Sequence, residues 1–376
     1  MQISPALQQP KKLCVLVYSA SDNDLKSFMH SDVDEMELAG SDDQMDVVVQ
    51  FDHGGSKGAE RLHIQRDGER GKLNSPVIQS LGSTDMADPK KLSEFIEWGM
   101  KNYPAENYFL VISDHGDGWK GAAQDYSGGS WMSLKEIHEG ISDAQAKTGK
   151  KLGLIGFDAC LMANTEVAYQ LRNDADFLVG SQEVEGGAGW PYNRLLSEEN
   201  LMALQQTLAA AVPVEPRELG ARLVATAQGK QDDLPTMSAI DLSKMNDVKD
   251  AVNTFAEAIL DSDTSRGTLR GMARKTEVFT GYKDLYHFAQ QVGENQSITD
   301  DQLKEAARGV TEAINGAVYA EQHSRSYPNA HGLTVQLPSW QFSPSDEYKG
   351  LDFAKDTKWD EALTSMGKYW FWPWPI

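Results

Sequence analysis

Tyr108-Phe109-Leu110-Val111-Ile112-Ser113-Asp114-His115-Gly116-Asp117-Gly118-Trp119 runs from an apolar β-type stretch straight into a polar, glycine-rich turn. The pattern returns at Leu152-Gly153-Leu154-Ile155-Gly156-Phe157-Asp158-Ala159-Cys160-Leu161-Met162. Apolar runs of this length, unbroken rather than alternating, read as strands buried on both faces, the habit of parallel sheets. Working outward, further strands are expected over 12–18, 45–51, 61–66 and 177–181, with helices over 23–38, 89–101, 133–147 and 161–171. Asp88 before Pro89 is a helix-start signal, and Ser133 followed by Glu136 has capping-box spacing. Strands alternating with helices predict an α/β fold with a mostly parallel sheet flanked by helices.

Beyond Pro213 the pattern turns helix-rich, clearest over 248–260 and 302–319, with strand-like pieces at 236–241 and 332–337. The expected division is a catalytic core over 1–212 and a helix-rich region over 213–376 that completes the domain. The latter ends in the aromatic tail Tyr369-Trp370-Phe371-Trp372-Pro373-Trp374, expected to dock on the body.

Composition narrows the class. The 376 residues contain 35 Lys and Arg against 56 Asp and Glu, a net charge of −21. Phosphate backbones would repel such a chain, which argues against nucleic acid and leaves peptides or cations as partners. No apolar run is long enough to span a bilayer, so a soluble globular protein is expected. The start, MQISPALQQPKK, lacks the layout of a secretory signal, and the compartment stays open. Two cysteines, Cys14 inside an apolar run and Cys160, make no disulfide framework.

His115 and Cys160 each follow a strand, where open α/β sheets bind ligands. A thiol at the start of the expected 161–171 helix would feel the positive end of the dipole. If the two strands are neighbours, imidazole and thiol form a base–nucleophile pair. Asp114, His115 and Asp117 can alternatively be read as metal ligands of a hydrolase. A third reading is a non-catalytic protein that binds a partner.

The segments His115-Gly116-Asp117-Gly118-Trp119 and Asp158-Ala159-Cys160-Leu161-Met162 resemble the clostripain family of cysteine peptidases, in the same broad group as caspases. The stretches VLVYSASDNDL (15–25), VVVQFD (47–52), SQEVEGGAGWPY (181–192), TMSAIDLS (236–243), DLYHFA (284–289) and GLTVQLP (332–338) extend the resemblance over nearly the whole chain. It implies a caspase-like fold and cysteine endopeptidase activity, with His115 as general base and acid and Cys160 as nucleophile. The backbone N–H groups of Gly116 and Cys160 would form the oxyanion hole, with Asp114 or Asp158 positioning the imidazole. Asp158, Ser181, Gln182, Glu183 and Trp190 would contact substrate.

Relatives favour Arg or Lys before the cut and often carry an aspartate in the Gly-x-Gly-Trp stretch, where this chain has Ala188. Glu183 or Glu185 are the candidate replacements. The resemblance requires no cofactor, although calcium dependence and secretion both occur in the family. Relatives also cut themselves between the histidine and cysteine motifs, yet 121–133 holds no basic residue; Lys147, Lys150 and Lys151 are the nearest.

Overall fold

The computed structural model describes residues 9–196, 215–227, 233–337 and 343–367. The aromatic tail and the 212/213 boundary lie outside the described residues. A nine-stranded sheet forms the centre of the molecule. Its strands are β1 (Lys11–Ser19), β2 (Met45–Asp52), β3 (Ala59–His63), β4 (Val77–Gly82), β5 (Ala105–Ser113), β8 (Leu152–Asp158), β9 (Ala175–Gly180), β10 (Thr236–Asp241) and β13 (Val318–His323). The spatial order is β13-β10-β9-β8-β5-β1-β2-β3-β4. The five strands β9, β8, β5, β1 and β2 are parallel; the outer pairs β10–β13 and β3–β4 are antiparallel.

Strand β3 therefore differs from the parallel neighbour expected over 61–66. Too few residues separate it from β2 for a crossover, and only a hairpin closes so short a gap. The intervening β6 (Ala122–Asp125) and β7 (Ser130–Met132) form a separate hairpin. Strands β11 (Val278–Phe279), β12 (Tyr282–Asp284) and β14 (Thr334–Val335) make a small second sheet, so the strand expected over 332–337 shrinks to two residues. The helix expected over 302–319 ends at Ala317, where β13 begins.

Alternation along each central strand explains the layering. Leu13, Val15 and Val17 of β1 face one core, with Met29, Val33 and Met36 of α1 (Lys26–Ala39). Cys14, Leu16 and Tyr18 face the other, with Leu92, Phe95 and Ile96 of α2 (Pro89–Asn102) and Ile137 and Ile141 of α3 (Leu134–Thr148). Each such buried side chain contributes about 1.5–3 kcal/mol. Both helix starts follow their sequence signals: Asp88 accepts the Lys90 N–H at 2.9 Å, and Ser133 with Glu136 closes a capping box.

Topology sets the site. Strand β1 leads through α1 to β2 on one side, whereas β5 leads to β8 and β9 on the other. Ser19, Ser113 and Asp158 lie in register, so three strands end at one level around this reversal. A crevice at the carboxyl ends of β1, β5 and β8 follows, the place where such sheets bind ligands.

Candidate active site

The loop after β5 is built around a buried carboxylate. Asp114 accepts from the Asn23 amide at 2.6 Å and from the Gln124 N–H, which locks the loops after β1 and β5 together. Desolvation pushes Asp114 up to about 8, against the lowering effect of those donors. One residue on, the His115 Nε2 hydrogen-bonds Asp24 Oδ1 at 2.9 Å. The Tyr126 hydroxyl donates to the same Asp24 oxygen at 2.8 Å. Hydrogen bonds from His115, then Tyr126, hold Asp24 below the usual carboxylate range. The imidazole is thus positioned by Asp24, not by Asp114 or Asp158. Downstream, the Tyr282 hydroxyl donates to the Asp117 carbonyl at 2.8 Å and the Trp119 indole to Gln336 at 2.9 Å, anchoring the motif to the C-terminal half.

The Cys160 segment departs from the expected helix start. Leu161 has φ +70°, and α4 (Thr165–Gln170) begins only after Asn164 caps Val167 at 3.2 Å. Long-range bonds impose the intervening turn: Leu161 N–H donates to the Glu183 carbonyl at 3.3 Å and Ala163 N–H to Ser181 at 2.9 Å. Thr334 of β14 donates to the Ala163 carbonyl at 2.9 Å. No local sequence pattern announces such bonds. The Glu185 N–H donates to Cys160 Sγ at 3.4 Å. Burial pushes the Cys160 thiol up, with Glu183 and Asp158 adding to the effect and the Glu185 N–H opposing it. The resting thiol is therefore protonated at neutral pH.

The two motifs touch through backbone. A Cβ built on Gly116 would stand 2.5 Å from the Cys160 carbonyl oxygen, so only glycine permits this approach. Among the described residues, no backbone carbonyl accepts from the Gly116 or the Cys160 N–H. His115 and Cys160 line one cavity of about 170 Å³, although no hydrogen bond joins imidazole to thiol. Phe28 and Val184, 47% and 42% exposed, give this cavity an apolar rim.

Its remaining polar wall is acidic. Asp158 accepts from the Tyr192 hydroxyl at 2.9 Å and the Trp190 N–H at 3.2 Å, and burial raises its pKa. Glu185 also lines the cavity, and neither of its side-chain oxygens has a well-formed hydrogen bond. Burial, then repulsion from Asp158, pushes Glu185 well above the carboxylate range. Among the described residues, the cavity wall carries no lysine or arginine.

The other expected contact residues belong to the scaffold. Ser181 bonds Thr236 at 2.8 Å, and the Gln182 amide donates to Asp284 at 3.0 Å. Glu183 accepts from the Thr280 hydroxyl at 2.7 Å, and Trp190 is fully buried against Phe109. Of the expected substrate contacts, only Asp158 reaches the cavity wall. The metal-ligand reading also fails geometrically. Asp114 is bonded inward, Asp117 pairs with Lys120 at 2.6 Å, and no three potential ligands converge among the described residues.

One cavity acid, Asp32, and one positioning acid, Asp24, escaped the motif reading. Asp24 lies in the Ser-Asp-Asn-Asp stretch after β1, where a strand end beside the crevice was the available signal. Asp32 sits in the apolar stripe of Met29, Val33 and Met36 on α1, where the neighbouring acids Asp34, Glu35 and Glu37 mask it.

Among the described residues no helix is long and apolar enough to cross a membrane. The clostripain family model matches residues 17–370. Clostripain of Hathewaya histolytica is 23% identical over 403 residues, covering 88% of this chain and 75% of that protein. A secreted C11 cysteine protease of Bacteroides thetaiotaomicron, solved with an irreversible peptide inhibitor, superposes with a TM-score of 0.69 at 22% identity, over 93% of this chain and 99% of its own. An inactive zymogen C11 protease of Parabacteroides distasonis gives 0.67 at 18% identity over 93% and 99% of the two chains. With a family model matched from β1 to beyond the last described helix, this chain belongs to the clostripain family and is a cysteine peptidase.

Proposed function

We propose that the protein is an endopeptidase that cuts after Arg or Lys through a His115–Cys160 dyad. The observation that carries this reading is the single cavity in which the thiol and imidazole share a wall with uncompensated acids. With Nε2 engaged by Asp24, Nδ1 of His115 is the nitrogen left to take the thiol proton as substrate enters. The thiolate attacks the scissile carbonyl carbon, and the N–H groups of Gly116 and Cys160 receive the developing oxyanion. His115 returns the proton to the leaving amine, giving a thioester; water, deprotonated by the same ring, releases the acid and the free thiol. A cation before the cut would meet Asp158 and Glu185 and draw both toward their ionised forms, against the burial that raises them.

Hydrolysis of fluorogenic peptides bearing Arg, Lys or an uncharged residue before the cut tests this. Turnover should favour the basic peptides, vanish with Cys160→Ala and persist in chelator. Activity that survives Cys160→Ala would sink the mechanism. Inactivity on a broad peptide library would favour a binding role for the same fold.

A further inference from the structure

Helix α1 carries three buried acids, and two have an evident structural purpose. Asp34 accepts the Gly71 N–H at 2.9 Å and pairs with Arg70 at 3.4 Å. Glu37 accepts the Ser75 and Asn74 N–H groups at 2.6 and 3.0 Å. Both staple the connection between β3 and β4 to the helix. Asp32 has no such purpose. It is 6% exposed, no hydrogen bond or ion pair engages its carboxylate, and it lines the active-site cavity. An unpartnered buried carboxylate destabilises the fold that holds it. Burial, then the nearby Asp158 and Glu35, pushes Asp32 upward.

Its position relative to the pocket is specific. A Cβ built on Gly189 would lie 3.2 Å from Asp158 Oδ1 and 3.3 Å from Asp32 Oδ2. The Gly189 backbone therefore sits against both carboxylates at once. Gly189 directly follows Ala188, whose methyl can make no charge contact. Glu185, beside Asp158, adds another carboxylate to the same wall. Acids from different elements thus face one space with no basic residue in its wall among the described residues.

We propose that Asp32 is a specificity-determining residue, supplying from α1 the second carboxylate for the substrate's cationic side chain that Ala188 cannot supply. The assignment rests on the peptidase reading and on its preference for a cation before the cut. It makes α1 part of the substrate pocket rather than a supporting element alone. The loop carrying Gly187 and Gly189 is then free to be neutral.

The test uses the full chain and two fluorogenic peptides identical except for arginine or citrulline before the cut, citrulline being its uncharged isostere. Wild-type protein should prefer arginine. In Asp32→Asn the arginine-to-citrulline ratio of kcat/KM should fall about ten- to a hundredfold, the scale of a lost charged hydrogen bond. Adding Ala188→Asp to that variant should restore part of the ratio, a rescue that a structural role would not give. A ratio unchanged within about twofold in folded Asp32→Asn overturns the assignment while leaving the peptidase reading intact. Equal turnover of both peptides by wild type overturns the cationic preference and this assignment together. Should Asp32→Asn not fold, Asp32→Ser is measured in the same way; failure of both to fold makes Asp32 structural and overturns the proposal.

Discussion

Replacing Gly116 by alanine tests the contact on which the site's backbone geometry depends. The added methyl would lie 2.5 Å from the Cys160 carbonyl oxygen, 3.1 Å from the Ala159 Cβ and 3.1 Å from the Met162 Cγ. Real Cβ atoms essentially never approach closer than 3.0 Å, so the Cys160 carbonyl and Gly116 must part by about 0.5 Å. Backbone oxygen cannot rotate away as a flexible side chain would. The φ at Gly116 is not in the left-handed region, so strain from conformation adds nothing. The displacement falls on the two N–H groups assigned to the oxyanion. Losing one such donor costs about 10²–10³ in kcat, or roughly 2.7–4 kcal/mol. Gly116→Ala should therefore lose about a hundredfold in kcat, with KM changed far less. Steady-state kinetics on an arginine peptide, with the thermal midpoint as a check on folding, measure both. A folded variant turning over within about threefold of wild type would refute the oxyanion assignment.

Three further outcomes are expected. Asp24→Asn should lower kcat only about two- to fivefold with KM little changed, because the half-exposed pair with His115 is worth about 0–1 kcal/mol; a kcat equal to wild type would remove Asp24 from its positioning role. Alkylation of Cys160 by iodoacetamide should keep rising above pH 9, since a thiol raised by burial reaches its thiolate later than a free cysteine at about 8.5; a plateau below pH 7 would contradict the buried, protonated thiol. The chain should stay uncut at Lys147, Lys150 and Lys151 during prolonged incubation. Lys147, in the last turn of α3, pairs with Asp143 at 2.6 Å, and in the three-residue link to β8 Lys150 donates to the Tyr108 hydroxyl at 2.6 Å and Lys151 pairs with Asp176 at 2.7 Å. Intact-mass spectrometry showing cleavage there would refute this.

The central sheet was legible because parallel strands buried on both faces read as near-continuous apolar runs, as 47–49 of β2 and 152–157 of β8 do. Strand β4, Val77–Gly82, was not, since it is an edge strand with no buried face and hence no pattern. His115, Cys160 and Asp158 could be read because each ends or closely follows one of two strands that the register aligns. Ser181, Gln182 and Trp190 look the same in a motif whether they touch substrate or hold the wall behind it. Only their hydrogen bonds to Thr236 and Asp284, and the packing of Trp190, separate the cases. Asp32 is hidden by its setting. Among Asp34, Glu35 and Glu37 it reads as one more helical acid, and what distinguishes it is the partner it lacks.

Electrostatics joins substrate choice to nucleophile activation in this site. A thiol five residues before the first residue of α4 lies outside the turn where a helix terminus helps. The carboxylates of Glu183 and Asp158 raise its pKa further, so the acidic pocket works against the thiolate. A cationic side chain seated on Asp158 and Glu185 would cancel part of that repulsion at the moment the thiol must lose its proton. An uncharged isostere would forgo the ionic contact and leave the repulsion in place. The first loss acts on binding; the second acts on the transition state and so lowers kcat. Citrulline in place of arginine should therefore depress kcat as well as raise KM. A deficit confined to KM would mean that the thiol does not sense the charge on the pocket acids.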